Sequence, residues 1–163
     1  MRNTVLGIIA MSLLMITACK KTSSTNLGGT WTFQTVNYTA TSFATGYGLI
    51  TVTNQPTAYS TEYTTLTVNF YGGLPTQNSF FTSGTFNVVK ENKLDSTDQV
   101  SLDLNIAGAS GNTLYRSTGS GANQTVNVSV SNGKLTITGS GVELANVLNA
   151  ADSAALNLDL IQP

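Results

Sequence analysis

The chain has 163 residues, with seven Lys or Arg against eight Asp or Glu, one cysteine and no histidine. These numbers exclude histidine-based catalysis and an internal disulfide framework. Arg2, Lys20 and Lys21 lie near the N-terminus, so the remaining four cations face eight anions and the body of the chain carries −4. It has no basic stripe, and no nucleic-acid partner is expected. Thr and Ser together make up 42 residues and Asn 16. Thr favours strands while Asn and Gly favour reversals, so the composition points to β structure with many tight turns.

Met1-Arg2-Asn3 is a short basic start, and residues 5–16 form an apolar run interrupted only by Gly7 and Ser12. About a dozen apolar residues fall short of the roughly 20 that a membrane-spanning helix needs. A basic start before a short apolar run is the pattern of a secretion signal. An ordinary cleaved signal and an uncleaved anchor are the alternatives. The run ends in Ile16-Thr17-Ala18-Cys19, followed by the polar Lys20-Lys21-Thr22-Ser23-Ser24-Thr25-Asn26. This arrangement resembles a bacterial lipoprotein signal peptide. The resemblance implies that residues 1–18 are removed and that Ile16, Thr17 and Ala18 are the recognition element. It also implies that Cys19 is acylated, so that the membrane is the first partner, through the acyl chains. Residues 19–27 would then be a lipidated tether. Lys20 and Lys21 stand where an inner-membrane retention signal would carry aspartate, so the resemblance also implies the outer membrane, on either its periplasmic or its outer face.

Residues 28–163 read as one all-β domain, long enough to bury about two thirds of its unfolded surface. Residues 30–40 alternate as a strand, with a bulge expected near Thr35 where the parity changes. Residues 48–53 form a second strand, broken by Asn54-Gln55-Pro56. Leu66, Val68 and Phe70 alternate with Thr65, Thr67 and Asn69 across residues 63–71. Gly72-Gly73-Leu74-Pro75 turns the chain. Phe80-Phe81 opens an extended stretch, and residues 84–90 carry Phe86 and Val88. The charged segment 91–98 is a loop. Val100, Leu102, Leu104 and Ile106 alternate again, residues 113–117 form a short strand, and residues 119–123 turn. Val126, Val128 and Val130 lead into Asn132-Gly133, and Leu135 and Ile137 return. Asn-Gly between alternating apolar runs is a strong hairpin signal. Residues 142–149 fit a strand or a helical turn, and Leu156, Leu158 and Leu160 make the closing strand.

About eight or nine strands with frequent turns point to a single antiparallel β-sandwich or flattened barrel, mostly hairpin-connected. Gly29-Thr30-Trp31 resembles the Gly-x-Trp element of lipocalins. The resemblance implies a closed lipocalin-like meander barrel as the alternative, although the last strand lacks the arginine that lipocalins pack over that tryptophan. The inward residues are almost all apolar and of medium or large size, which predicts a filled, dry core. Gly84-Thr85-Phe86, residues 115–119 and the late Asn-Gly hairpin are together similar to small bacterial lipoproteins of unknown function. That resemblance implies a shared fold and address.

Catalysis is not expected. The single cysteine is assigned to lipid, and no pair among the eight carboxylates is marked out as a glycosidase dyad would be. No cofactor is expected. Glu91, Asp95, Asp98 and Asp103 are the one acidic cluster, and their spacing fits a solvated polar face better than a Ca²⁺ loop, so no metal site is expected. Asp95-Ser96-Thr97 and Asp152-Ser153-Ala154 resemble the acceptor triplet of a bacterial O-glycosylation system. That makes Ser96 and Ser153 candidate O-glycosylation positions, both in predicted loops. Tyr38, Tyr47, Tyr59, Tyr63, Tyr71 and Tyr115 could either stack on a carbohydrate or cover sheet faces. The expected function is a non-catalytic binding module for a glycan or small ligand. A structural or protein-interaction lipoprotein with an envelope protein as partner is the alternative.

Overall fold

The computed structural model describes residues 28–46, 48–71, 83–120 and 124–163. The expectations for Ile16, Thr17, Ala18 and Cys19, for Tyr47 and for the 72–82 segment with Phe80 and Phe81 lie outside those residues.

The described residues form an all-β fold. β1 (Thr30–Phe33) and β2 (Val36–Thr39) replace the single expected strand. No bulge stands at Thr35. Gln34 and Thr35 take φ of 48° and 69°, which is a two-residue hairpin turn built without glycine. β3 (Ser42–Gly46) carries one large apolar residue, Phe43, and β4 (Leu49–Asn54) pairs beside it. β5 (Tyr63–Phe70), β6 (Gly84–Val88), β7 (Gln99–Gly108) and β8 (Gly111–Ser117) follow the alternation of the sequence, with a 3-10 turn at Glu91–Lys93. β9 (Thr125–Ser131) and β10 (Lys134–Asn146) are joined through Asn132 and Gly133 at φ 51° and 73°, the hairpin that the sequence predicts. β11 (Asn149–Ile161) begins seven residues before the predicted Leu156.

The strand order is β2-β1-β11-β10-β9-β6-β7-β5-β4-β3. β8 bridges β10 and β7, so β10, β9, β6, β7 and β8 close a ring. β6 pairs β7 in parallel, and every other pairing is antiparallel. The order is that of a sandwich or flattened barrel and departs from a simple meander. One bulge makes the ring possible. β10 pairs β9 over residues 134–139 and then β8 over residues 144–146. Between them Gly141 takes φ 69°, and Asn157 Oδ1 accepts from Ser140 Oγ at 3.0 Å and from Gly141 N at 2.9 Å. The extra residues bend the strand so that one edge serves two neighbours.

Trp31, Phe33, Leu66, Val68, Phe70, Phe86, Val88, Val100, Leu102, Leu104, Val126, Val128, Leu135, Ile137, Leu156, Leu158 and Leu160 are all buried, as the alternation predicts. Val130 is only half-buried against this core. Tyr38 stacks on Trp31 with ring centroids 5.4 Å apart, and Trp31 Nε1 is buried without a hydrogen-bond partner.

The first described residues pack against the end of β11. Ile161 N donates to the Gly28 carbonyl at 3.2 Å. A Cβ on Gly29 would stand 2.1 Å from the Asp159 carbonyl oxygen, so only glycine fits there. The hairpin tip between β10 and β11 lies at the opposite pole. The 13 residues of β11 span about 40 Å at the usual rise of a strand.

Candidate functional site

A cleft of about 560 Å³ opens on the outer face where β8 meets β10. Its walls come from three places. The loop after β6 supplies Lys90, Glu91 and Asn92, β8 and its following turn supply Arg116, Ser117, Thr118 and Ser120, and the β10–β11 hairpin supplies Glu143, Ala145, Asn146, Val147 and, from the start of β11, Ala150. Register sets the pairing at its centre, with Arg116 opposite both Asp103 on β7 and Ala145 on β10.

Arg116 lies between two carboxylates. Its Nη1 is 2.9 Å from Glu91 Oε2, and its Nε is 3.2 Å from Asp103 Oδ1. The contact to Asp103 is an ion pair outside hydrogen-bond alignment, since Oδ1 has no hydrogen-bond partner. Burial pushes the Asp103 carboxyl above the usual range, the Arg116 charge pulls it back, and Glu91 adds to the rise. Asn69 Nδ2 donates to Asp103 Oδ2 at 3.4 Å.

Ser117 holds the loop wall of the cleft. Its buried hydroxyl donates to the Val89 carbonyl at 2.6 Å and accepts from Leu102 N at 3.1 Å. That joins β7, β8 and the start of the 90–93 segment through one oxygen.

A second polar cluster fixes the hairpin wall. Tyr115 Oη donates to Asp152 Oδ2 at 2.9 Å, and Asn146 Nδ2 donates to the same oxygen at 3.0 Å. Gln34 Nε2 reaches Asp152 Oδ1 at 3.2 Å and Tyr115 Oη at 3.3 Å. The Asn146 amide, then the Tyr115 hydroxyl, hold the Asp152 carboxyl below its ordinary range. Burial, then the hydrogen bond to Asp152, push the Tyr115 phenol up. Asn146 Oδ1 also accepts from Leu148 N at 2.9 Å, and Val147 N donates to the Leu114 carbonyl at 3.0 Å. The tip is therefore tied down, yet it presents Leu148 at 92% exposure. Two consecutive positive φ values at Gln34 and Thr35, one of them β-branched, are strained. The Gln34 amide bonds hold that turn in place.

The acidic residues named from sequence do not form one cluster. Glu91 and Asp103 meet at Arg116, whereas Asp98 accepts from Ser96 Oγ in the loop and from Asn87 Nδ2 on β6. Asp103 is not a freely solvated face residue as the alternation suggested; its side chain is 22% exposed because Arg116 lies over it. Among the described residues, no group of three or more His, Cys, Asp or Glu could hold a metal ion.

Ser96 lies in a loop as predicted, and its hydroxyl donates to Asp98 Oδ1 at 2.5 Å. Ser153 does not lie in a loop. It is an exposed residue within β11, opposite Ala145. Alanines on both sides hid that strand from a reading based on large apolar residues.

The tyrosines do not assemble into a platform among the described residues. Tyr115 is buried and Tyr38 packs on Trp31. Tyr59, 96% exposed, and Tyr71 lie beyond opposite ends of β5. The sequence reading missed Lys90, Arg116, Ser117 and Glu143 as a group, and only pairing across β7, β8 and β10 brings them together.

The chain matches no family model, no curated protein and no solved structure.

Proposed function

We propose that this protein is a membrane-anchored lipoprotein of the bacterial cell envelope, placed at the outer membrane. In this reading it is a non-catalytic binding module for a glycan or small ligand, which it takes in the cleft around Arg116. The Ile16-Thr17-Ala18-Cys19 sequence supports the anchor. The observation that carries the binding reading is the position of the cleft. Arg116 pairs with Ala145, and Ala145 with Ser153. Ser153 is seven residues along β11 from Leu160, where Gly29 sits, so the cleft lies roughly 23 Å from the point at which the tether joins. A protein anchored through Cys19 would then present the cleft away from the lipid.

The walls suit a small polar ligand. The volume is within the range of small-molecule sites, roughly 300–1,000 Å³. Ala145, Val147 and Ala150 offer apolar contact, and the guanidinium, carboxylates, amides and hydroxyls around them offer hydrogen bonds.

Two measurements test the reading. Cys19→Ser should shift the protein from the membrane fraction to the soluble or unprocessed pool while the domain stays folded. Unchanged membrane partitioning of a cleaved Cys19→Ser protein overturns the anchor. Screening the domain against a panel of glycans and small polar metabolites should give ligands that Arg116→Ala weakens, and ligands indifferent to Arg116 place the binding elsewhere. The structural or protein-interaction reading draws on Leu148, a large apolar side chain held out on a fixed turn. Cross-linking to an envelope protein that is lost in Leu148→Ser, without any small ligand, would favour it.

A further inference from the structure

Among the described residues both ion pairs belong to Arg116, with Glu91 and Asp103. Two other charges line the same cleft, Lys90 and Glu143, and neither forms an ion pair with a described residue or with the other. The backbone of Glu143 is fixed from both sides. Its N–H donates to Gln124 Oε1 at 3.3 Å, and its carbonyl accepts from Thr118 N at 3.1 Å. Lys90 opens the turn that Lys93 N closes onto the Lys90 carbonyl at 2.8 Å. Two opposite charges thus stand on hydrogen-bonded backbone in the loop wall and the β10 wall of one cleft, and the Arg116 guanidinium that lines it with them is already paired with two carboxylates.

We infer that the cleft selects a zwitterionic small molecule, an amino acid or short peptide with a free ammonium and a free carboxylate. The inference rests on the binding-module reading and narrows it. The ammonium of the ligand pairs with Glu143 and its carboxylate with Lys90. Counting Asp103 beneath Arg116, the site holds two cations and three carboxylates. A purely anionic ligand would therefore meet an acidic wall with only one spare cation, and a neutral sugar would leave both charges unused. Side chains on the ligand must be small, because the apolar contact comes from Ala145, Ala150 and Val147.

The test uses alanyl-alanine, its N-acetyl derivative, its C-terminal amide, and cellobiose as a neutral glycan, titrated into the isotope-labelled protein and followed by NMR. Alanyl-alanine should shift the amides of residues 116–118 and 143–147. N-acetylation should weaken binding to the wild type by about fivefold, as should amidation, the size of one partly screened ion pair. Glu143→Gln should abolish the penalty for N-acetylation and keep that for amidation, and Lys90→Met should do the reverse. Thermal melts establish that both variants fold. Equal binding of all three peptides overturns the inference. Binding of cellobiose without alanyl-alanine also overturns it but leaves the binding module standing. No response to any of these probes, nor to the wider panel of glycans and metabolites, overturns both.

Discussion

Replacing Ser117 by Ala removes one oxygen from the place where three segments meet. In the wild type that oxygen donates to the Val89 carbonyl at 2.6 Å and accepts from Leu102 N at 3.1 Å, in a side chain that is 3% exposed. The substitution strands the buried Leu102 N–H, and it loses a short bond to Val89 that water can only partly replace. Stranding a buried donor and losing a neighbouring hydrogen bond together cost about 2–3 kcal/mol. For a domain of this size that corresponds to a fall in Tm of about 8–12 °C. Urea unfolding of the domain carried by residues 28–163 measures the free energy, with the m-value unchanged if the unfolded state is unaffected. Ser153→Ala, at an exposed position, serves as the control and should stay within about 0.5 kcal/mol. Because Val89 leads into the cleft wall, Ser117→Ala should also speed tryptic cleavage at Lys90 and Lys93. A fall in Tm of less than about 2 °C would refute the reasoning, since it would show that Leu102 N–H finds another partner at no cost.

Gly133→Val should destabilise the domain by about 1 kcal/mol or more, since a β-branched residue resists the φ of 73° found there; an unchanged melting temperature would contradict the turn. Asp152 carries a carboxyl lowered from its ordinary 3.8, so the stability it contributes is present above that value and lost as pH falls through the lower folded value. Asp152→Asn should therefore flatten the loss of stability below about pH 4, measured by melts from pH 2 to 6; an undiminished slope counts against the cluster. Asp103, raised by burial, acts with the opposite sign and partly offsets that slope in both proteins. The buried residues are apolar except for Thr64, Ser101 and Ser117 among the described residues, so fatty acids or an apolar dye should show no saturable internal binding to the protein. A stoichiometric complex that quenches Trp31 would overturn the filled core.

Much of this fold is written in local alternation. A strand buried on one face needs an apolar side chain at every second position, and Leu66-Val68-Phe70 or Val100-Leu102-Leu104 carry that period whatever they pack against. Asn132-Gly133 likewise specifies its turn with backbone preferences alone. Other features depend on partners distant in the chain. Gln34 and Thr35 have no intrinsic preference for positive φ, and their turn exists because Asp152 and Tyr115, 118 and 81 residues away, hold the Gln34 amide. The first half of β11 is a run of small residues without period, drawn into strand by its pairing with β10. The insertion of β6 between β9 and β7, and the bend of β10 at Gly141, follow from closing the ring. The cleft follows from those two events. Lys90, Arg116 and Glu143 belong to no common motif, and they line one site only because the bend lets β10 leave β9 for β8 while Ser117 draws the loop after β6 onto the same face. The sequence alone determined most of the buried faces and the turn at Asn132-Gly133, whose residues carry their own backbone preference, because those depend on near neighbours. Tertiary structure decided which strands meet, and with them the site, because that depends on pairing between segments that no local preference links.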